Sequence, residues 1–436
     1  MTPKYQRRLT LSAGEECTIT GNGPITVTLL TGVLHLAGVL LEANRPYSFY
    51  LHSERTSVIL FTLEGGSANI TSEESMNFFR HSSGAVPLVQ FTRRTLFPLK
   101  TSKVLVIGKE GSGKSLAAHT IINLLRDYRM GKDDNALNRY FLLDFNAESN
   151  CIFSPGCVSF VEVRDDPLWL ERIASPTMLP LSFYTGSVTR PSAKDISAFI
   201  HFCGQLYDTC NLYLQEECLP PQRAHLILDA PSPLSDLKKE VFYKKFIEIV
   251  KPTHVVIVCS RDDASEDWFT FLQEDIQRVL PDCEFAFTEP CAHPCPSPPT
   301  HLRIKEYFVG SPNTTMLGCS KLVMSSKALQ FFEYVGGDLE NPSGVGVRRV
   351  YPAPGWRRLV CALSHAEIIE EVPLAPVAGL FVICHVDEEN DEIVILVPTP
   401  EDALQRRFVV IPRHGACGAL RLTDAELATL EESVVF

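Results

Sequence analysis

One stretch constrains this chain more than any other: residues 104–121, "VLVIGKEGSGKSLAAHTI". Val104 to Ile107 form a short apolar run rich in β-branched residues and bounded by glycine, which predicts a buried strand. Gly108, Gly113, Lys114 and Ser115 follow in the spacing G-x-x-x-x-G-K-S, and Leu116, Ile121, Ile122 and Leu125 then recur at helical spacing. Strand, glycine loop and helix start are the context in which such a loop grips phosphate. Glycines let backbone amides turn inward around an anion, and the helix N-terminus adds unpaired N–H groups and a favourable dipole. Gly108, Gly111, Ser112, Gly113, Lys114, Ser115 and Leu116 are therefore expected to hold a nucleoside triphosphate. Lys114 would reach the β- and γ-phosphates, and the Ser115 hydroxyl would ligate Mg²⁺.

The 436-residue chain has room for two or three domains. Residues 1–75 carry short alternating runs ("CTITGNGPITVTLL", "VLHLAGVLL", "PYSFYL", "SVILFTL") broken by Gly, Asn and Pro, the pattern of an antiparallel β-sandwich or barrel. A polar stretch at 76–101 reads as a linker or short helix. From 102 to 310, candidate strands at 104–107, 140–144, 181–185, 226–229 and 254–259 alternate with helical segments. That alternation predicts an α/β P-loop NTPase core, a mainly parallel sheet with helices on both faces. Residues 311–436 return to short strands ("VAGLFVICHVD", "EIVILVPTP", "RFVVIP"), a third, mostly β domain with some helix. Ligands of open α/β sheets bind beyond the carboxyl ends of the strands, so the flanking modules would frame the nucleotide.

Phosphoryl transfer needs more than a grip. It needs Mg²⁺, a group that orients or deprotonates the nucleophile, and cations on the moving phosphoryl. Two apolar strands end in aspartate, "YFLLDFN" at Asp144 and "LILDAP" at Asp229. Each can hold the Mg²⁺ water shell or act as base, although an Asp at such a strand end is sometimes only a turn or capping residue. Candidate cations are Arg164, Arg172, Arg303 and Lys305, on segments where charge more often marks a solvated face. From Thr288 to His301 there is no Arg or Lys.

A formal charge of −12 argues against broad attraction to nucleic acid, though a local basic groove stays open. No apolar run approaches a membrane span, and "MTPKYQRRLT" lacks the apolar core of a secretory signal. The 14 cysteines are scattered, several in apolar strands, the usage of reduced intracellular thiols. Cys283, Cys291, His293 and Cys295 lie close in sequence but lack a second matched pair, so a proline-rich loop with incidental thiols is expected there rather than zinc.

Together these residues resemble the pre-mRNA cleavage factor subunit of the Clp type, within the polynucleotide 5′-hydroxyl-kinase superfamily. The resemblance runs nearly end to end. It rests on "LLTGVLHLAGVLL", "SVILFTLEGG", "GKEGSGKS", "DFNAESNCIFSPGCVS", "IKEYFVG", "LVCALSHAE", "VAGLFVI" and "LVPTP", in that order. It implies an N-terminal β domain on the adenine side, a central ATP·Mg²⁺ domain and a C-terminal domain. It also implies a nuclear setting, a scaffold subunit of the cleavage complex as partner, and RNA touched directly or through that complex.

The departures bear on activity. Active members carry Asp-x-Asp-x-Gly-Gln where Asp144 to Ser149 here read Asp-Phe-Asn-Ala-Glu-Ser. Active members carry Thr-x-Gly-Trp where "LDAPSP" stands, and a lid with arginines where "TEPCAHPCPSPPTHL" has none. The family's adenine-contacting Glu and Lys fall near Arg8 and near Ser57 or Arg55, which do not match. Cationic groups on a transferring phosphoryl are worth roughly 10³ to 10⁵ in rate, so the resemblance implies an ATP holder more than an RNA 5′-hydroxyl kinase.

Overall fold

The computed structural model describes residues 4–51, 57–109, 111–127, 138–164, 168, 180–187, 196–218, 223–231, 239–259, 267–289, 300–310, 318–336, 344–398, 406–413 and 420–434. The chain opens with nine strands: β1 (Tyr5–Leu11), β2 (Glu15–Gly21), β3 (Gly23–Gly32), β4 (His35–Leu36), β5 (Val39–Leu40), β6 (Pro46–Leu51), β7 (Val58–Phe61), β8 (Gly66–Ser72) and β9 (Met76–Ser82). They form two antiparallel sheets, ordered β1-β8-β3-β6 and β5-β4-β7-β2-β9. Alternation along β3 turns Ile25 and Val27 inward, where they meet Ile70 of one sheet and Cys17, Ile19 and Leu60 of the other in a shared core. This is the antiparallel sandwich expected from the short alternating runs.

The stretch 76–101 is more than a linker. Strand β9 completes the second sheet against β2, and α1 (Ala85–Phe91) then runs straight into a π-helical turn, Thr92–Leu96. β9 escapes sequence reading because it is an edge strand with no fully buried residue and no clean alternation, Phe78 and Phe79 being adjacent and both half-buried.

The middle of the chain builds β10 (Thr101–Gly108), α2 (Lys114–Asp127), β11 (Asn138–Asp144), β12 (Cys157–Val163), β13 (Leu181–Tyr184), α3 (Ile196–Glu217), β14 (Arg223–Asp229), α4 (Lys239–Val250), β15 (His254–Val258), α5 (Asp267–Val279), β16 (Glu284–Thr288) and α6 (Thr300–Val309). The seven strands lie in the order β13-β12-β11-β14-β10-β15-β16. β11, β14, β10, β15 and β16 are mutually parallel, whereas β12 runs antiparallel to both of its neighbours, β11 and β13. The reversed strand has a simple cause. Residues 145–156 make a compact return with no helix, and a parallel partner would need a longer crossover. Val104 and Val106 face a core with Ile121 and Leu125 of α2, while Leu105 and Ile107 face Phe199 of α3 and Phe246 of α4. Both faces of the sheet are therefore covered, which explains the unbroken apolar runs.

The last part forms a second seven-stranded sheet from β17 (Ser320–Ser325), β18 (Gln330–Gly336), β19 (Val345–Val350), β20 (Val360–Ser364), β21 (Val377–Asp387), β22 (Glu392–Val397) and β23 (Phe408–Val410), ordered β17-β22-β21-β20-β23-β18-β19. Helix α7 (Asp424–Glu432) starts at a capping box made by Thr423 and Glu426. One face of this sheet, including Phe332, Tyr334 and Val382, shares the core of the central domain. Tyr184 Oη donates to the Val360 carbonyl at 2.9 Å, and the Leu380 amide donates to Tyr307 Oη at 2.9 Å. Among the described residues, no helix is long and apolar enough to cross a membrane.

Candidate functional site

The glycine loop joins the end of β10 to the start of α2 above the carboxyl edge of the sheet. A Cβ on Gly108 would lie 2.5 Å from Ser112 Oγ and 2.6 Å from the Val258 carbonyl, so the chain passes there only as glycine. Gly111 and Gly113 take φ values of +70° and +90°, left-handed backbone that glycine adopts without a Cβ penalty. The loop leads into a 14-residue helix whose first-turn amides face it. Lys114, only 5% exposed, folds back so that Nζ donates to the Lys109 carbonyl at 3.2 Å. Ser115 Oγ donates to Asp229 Oδ2 at 2.5 Å.

Asp144 and Asp229 are register partners on adjacent parallel strands, each closing its strand at the carboxyl edge. Their surroundings differ. Asp144 Oδ1 accepts from the Asn146 amide at 2.9 Å, and Oδ2 accepts from the Cys151 amide at 2.9 Å and its thiol at 3.3 Å. This carboxylate braces the return loop into β12. Asp229 uses Oδ2 for Ser115, while its Oδ1 is buried with no hydrogen-bond partner. A buried carboxylate oxygen left unpaired is costly. A divalent cation beside the Ser115 hydroxyl would satisfy it, and an all-oxygen donor set is the kind Mg²⁺ prefers.

Burial and the neighbouring Asp229 push the Asp144 carboxyl up to about 7. Burial also raises Asp229, against the pull of Lys114 and Ser115. For Lys114, burial lowers the pKa while Asp229, Asp144 and Glu148 hold it up. An unfolded aspartate titrates near ~3.9, so between there and about 7 the folded chain holds a proton that the unfolded chain has lost. This group's contribution to stability therefore falls as pH rises across that window. Metal-free protein should lose melting temperature between about pH 5 and about pH 7.5, and Asp144→Asn should shrink that loss. Equal losses in the two proteins would contradict this origin.

Beside the loop opens a cleft. Its floor includes Gly113 and Leu116 of the phosphate loop and helix start, and its walls include Ile59, Phe61 and Leu88. Glu16 and Glu289 add two carboxylates to an otherwise apolar slot. Glu16, 3% exposed, accepts from Ser83 Oγ at 3.1 Å. A mainly apolar slot with carboxylate acceptors fits a base bearing an exocyclic amine.

The cleft exists because the N-terminal sandwich is seated on α2. Thr120, Asn123 and Asp127 recur at helical spacing and form a polar stripe toward the β4–β5 turn. Asn123 Nδ2 donates to the Ala37 carbonyl at 2.8 Å, and the Leu40 amide donates to Asp127 Oδ2 at 2.8 Å. Gly38, at φ +86°, sits so close that a Cβ would be 2.6 Å from the Thr120 carbonyl. A second tie runs from Thr288 Oγ1 to the Gly84 carbonyl at 2.7 Å.

The structure thus gathers Gly108, Gly111, Ser112, Gly113, Lys114, Ser115, Leu116, Asp144 and Asp229 at one edge of the central sheet. It does not bring the adenine positions inferred by alignment to the cleft. Arg8 is exposed on β1, in the sheet away from the cleft, and Ser57 is buried before β7 without lining it. Arg55 lies outside the described residues. Sequence reading missed Glu16, Ile59, Phe61, Leu88 and Glu289, since "SVILFTL" reads only as a core strand.

Of the candidate cations, Arg164 pairs with Glu162 at 2.9 Å and Lys305 is exposed. Arg303 is buried and bonded to Glu306 at 3.1 Å, and its charge is felt by His119 and Cys151. Arg172, Cys291, His293 and Cys295 lie outside the described residues, as does 290–299 of the proline-rich stretch. No metal-capable group of three or more His, Cys, Asp or Glu occurs among the described residues.

No protein-family model matches the chain. The mRNA cleavage and polyadenylation factor CLP1 of Candida glabrata is 22% identical over 330 residues, covering 68% of each protein. A solved wild-type Clp1p–Pcf11p complex matches with a TM-score of 0.72 at 15% identity, over 95% of this chain and 99% of that one. A second, describing an extended Pcf11p–Clp1p interface and a point mutant that loses ATP, matches at 0.71 and 15% over the same shares. The fold is therefore shared end to end, and the resemblance drawn from the motifs is the one the relatives return.

Proposed function

From a chain of the Clp1 type, we propose an ATP-binding structural subunit of the nuclear machinery that cleaves and polyadenylates mRNA, one that holds ATP·Mg²⁺ without passing its phosphoryl on. The observation that carries this reading is the charge balance around Lys114, one buried ammonium acted on by three carboxylates, Asp144, Asp229 and Glu148. That leaves a deficit of two positive charges when all are ionised. Mg²⁺ would supply it, held by Ser115 and Asp229, and would neutralise charge on a bound triphosphate. Stabilising a phosphoryl in flight needs further cations aimed at it, and three acids around one lysine work in the opposite sense.

In this reading the loop amides and Lys114 clasp the phosphates, and the slot between Phe61, Leu88 and Leu116 takes the base. Bound ATP then fixes the N-terminal sandwich against the central domain, and the resulting surface receives a scaffold subunit of the Pcf11p kind. Asp144 serves the loop. Both its oxygens accept hydrogen bonds from residues 146 and 151, which orients the carboxylate away from a base's task.

A second reading, an RNA 5′-hydroxyl kinase, is favoured by one observation: a carboxyl pushed up to about 7 is well matched to general-base work at neutral pH. The two part company on γ-labelled ATP incubated with a 5′-hydroxyl oligoribonucleotide. The holder should transfer no label and should release intact ATP after gentle purification. Transfer that disappears in Asp144→Asn would establish the kinase and overturn the holder.

A further inference from the structure

Between β20 and β21 the chain closes into a small loop, residues 365–376. The His365 amide donates to the Pro376 carbonyl at 3.0 Å and ties its neck. Inside, the amides of Glu371, Val372 and Leu374 donate to the carbonyls of Ile368, Ile369 and Glu371 at 3.3, 3.1 and 2.8 Å, so one tight turn follows another. A compact loop of this size with its ends together is an Ω-loop, a form that frequently carries function. Two anchors fix it to the body of the protein. Val372 is fully buried in the core shared with the central domain, and His201 Nε2 of α3 donates to the Pro373 carbonyl at 3.0 Å.

The outer side of this braced loop is apolar. Among the described residues eleven large hydrophobic side chains are exposed, and three of them, Ile368, Ile369 and Leu374, stand here. They are 52%, 40% and 50% exposed. At a rise of about 2 Å per residue, the turns from Ile368 to Leu374 span only about 12 Å. Aliphatic side chains exposed singly need no explanation, but a group of them on a folded loop does.

The charge around them is of one sign. Glu367, Glu370 and Glu371 are all exposed in the same turns. Arg406 answers Glu367 at 3.5 Å. Glu371 Oε2 accepts from the Glu367 amide at 3.0 Å, which sets its carboxylate against the loop. Neither Glu370 nor Glu371 has an ion-pair partner among the described residues.

We infer that this loop docks a segment of a partner protein in which aliphatic side chains stand beside lysine or arginine. The partner's apolar groups would cover Ile368, Ile369 and Leu374, and its cations would meet Glu370 and Glu371, giving the apolar centre and polar rim of a protein interface. A second copy of this chain fits poorly, because a two-fold contact would set Glu370 and Glu371 against their own counterparts. The inference goes beyond the ATP reading and does not depend on it, since no residue of the loop lines the cleft.

The test is fluorescence anisotropy with a labelled leucine–lysine peptide whose leucines recur at helical spacing. The full chain is compared with Ile368→Ser/Leu374→Ser and with Glu370→Lys. The double variant should bind roughly tenfold or more weakly, as removal of central apolar contacts does. Glu370→Lys should bind roughly threefold or more weakly, and added salt should shrink that difference. Both variants should melt with the unaltered chain, because the altered side chains are exposed. Absence of binding by the unaltered chain, or equal binding by the double variant, would overturn the inference. Equal binding of a peptide with serine in place of leucine would do the same, by showing attraction of charge alone. So would a double variant that melts clearly lower, which would give the aliphatic groups to the fold. A dimer of the unaltered chain in sedimentation, abolished in the double variant, would give the loop to a second copy and equally overturn it.

Discussion

Lys114→Ala should weaken the proposed ATP binding by about two to three orders of magnitude and erase the rise in melting temperature expected of the unaltered chain with ATP·Mg²⁺. The size follows from burial. At 5% exposure the ammonium meets phosphate away from water, where removing one partner of a hydrogen-bonded charge pair costs about 2–5 kcal/mol. The thermal effect follows from linkage, since a ligand at about 100 times its Kd stabilises the folded state by about 2.7 kcal/mol. The nucleotide-free variant should suffer as well, because Asp144 and Asp229 lose their shared counter-ion. That second loss should grow as pH rises through about 7, where Asp144 gains its charge. Titration calorimetry and melting curves with and without ATP·Mg²⁺ measure both. A variant that loses ATP and still binds the scaffold normally would refute the idea that nucleotide sets the domain arrangement.

The second large effect is expected far from any phosphate. Gly38→Ala should destabilise the protein by about 2–4 kcal/mol and lower its ATP affinity, although Gly38 does not line the cleft. Two costs combine. The backbone sits at φ +86°, and the new methyl would lie 2.6 Å from the Thr120 carbonyl, a contact only a shift of the whole turn can relieve. That shift parts the sandwich from α2 and displaces Ala37, which does line the cleft. Unchanged melting and unchanged affinity together would show that the seam and the site are independent.

These two residues also show what could be read from the sequence. Lys114 was legible because its neighbours in sequence are its neighbours in space: a strand, a turn and a helix start carry the whole phosphate grip. Asp144 and Asp229 were legible for the same reason, as acids closing apolar strands. Their division of labour was not, because it depends on Cys151 and Ser115 arriving from other segments. The proposed base slot was less legible still. Glu16, Phe61, Leu88 and Glu289 come from four separate stretches, each of which reads locally as ordinary strand, helix or strand end. The parallel strands were anticipated from their alternation with helices, while β12, β9 and β16 lacked that signal. β12 returns without a helix, and β9 and β16 are edge strands with only partial burial.

Helix α2 begins at Lys114 and ends at Asp127, the aspartate that holds the Leu40 amide. One rigid rod therefore touches the proposed triphosphate pocket at its head and carries the sandwich along its flank. A nudge at the head is carried along the rod to the flank without passing through any loop. The cell's energy charge would in that way be written into the angle between two bodies, legible to any protein broad enough to lean on both.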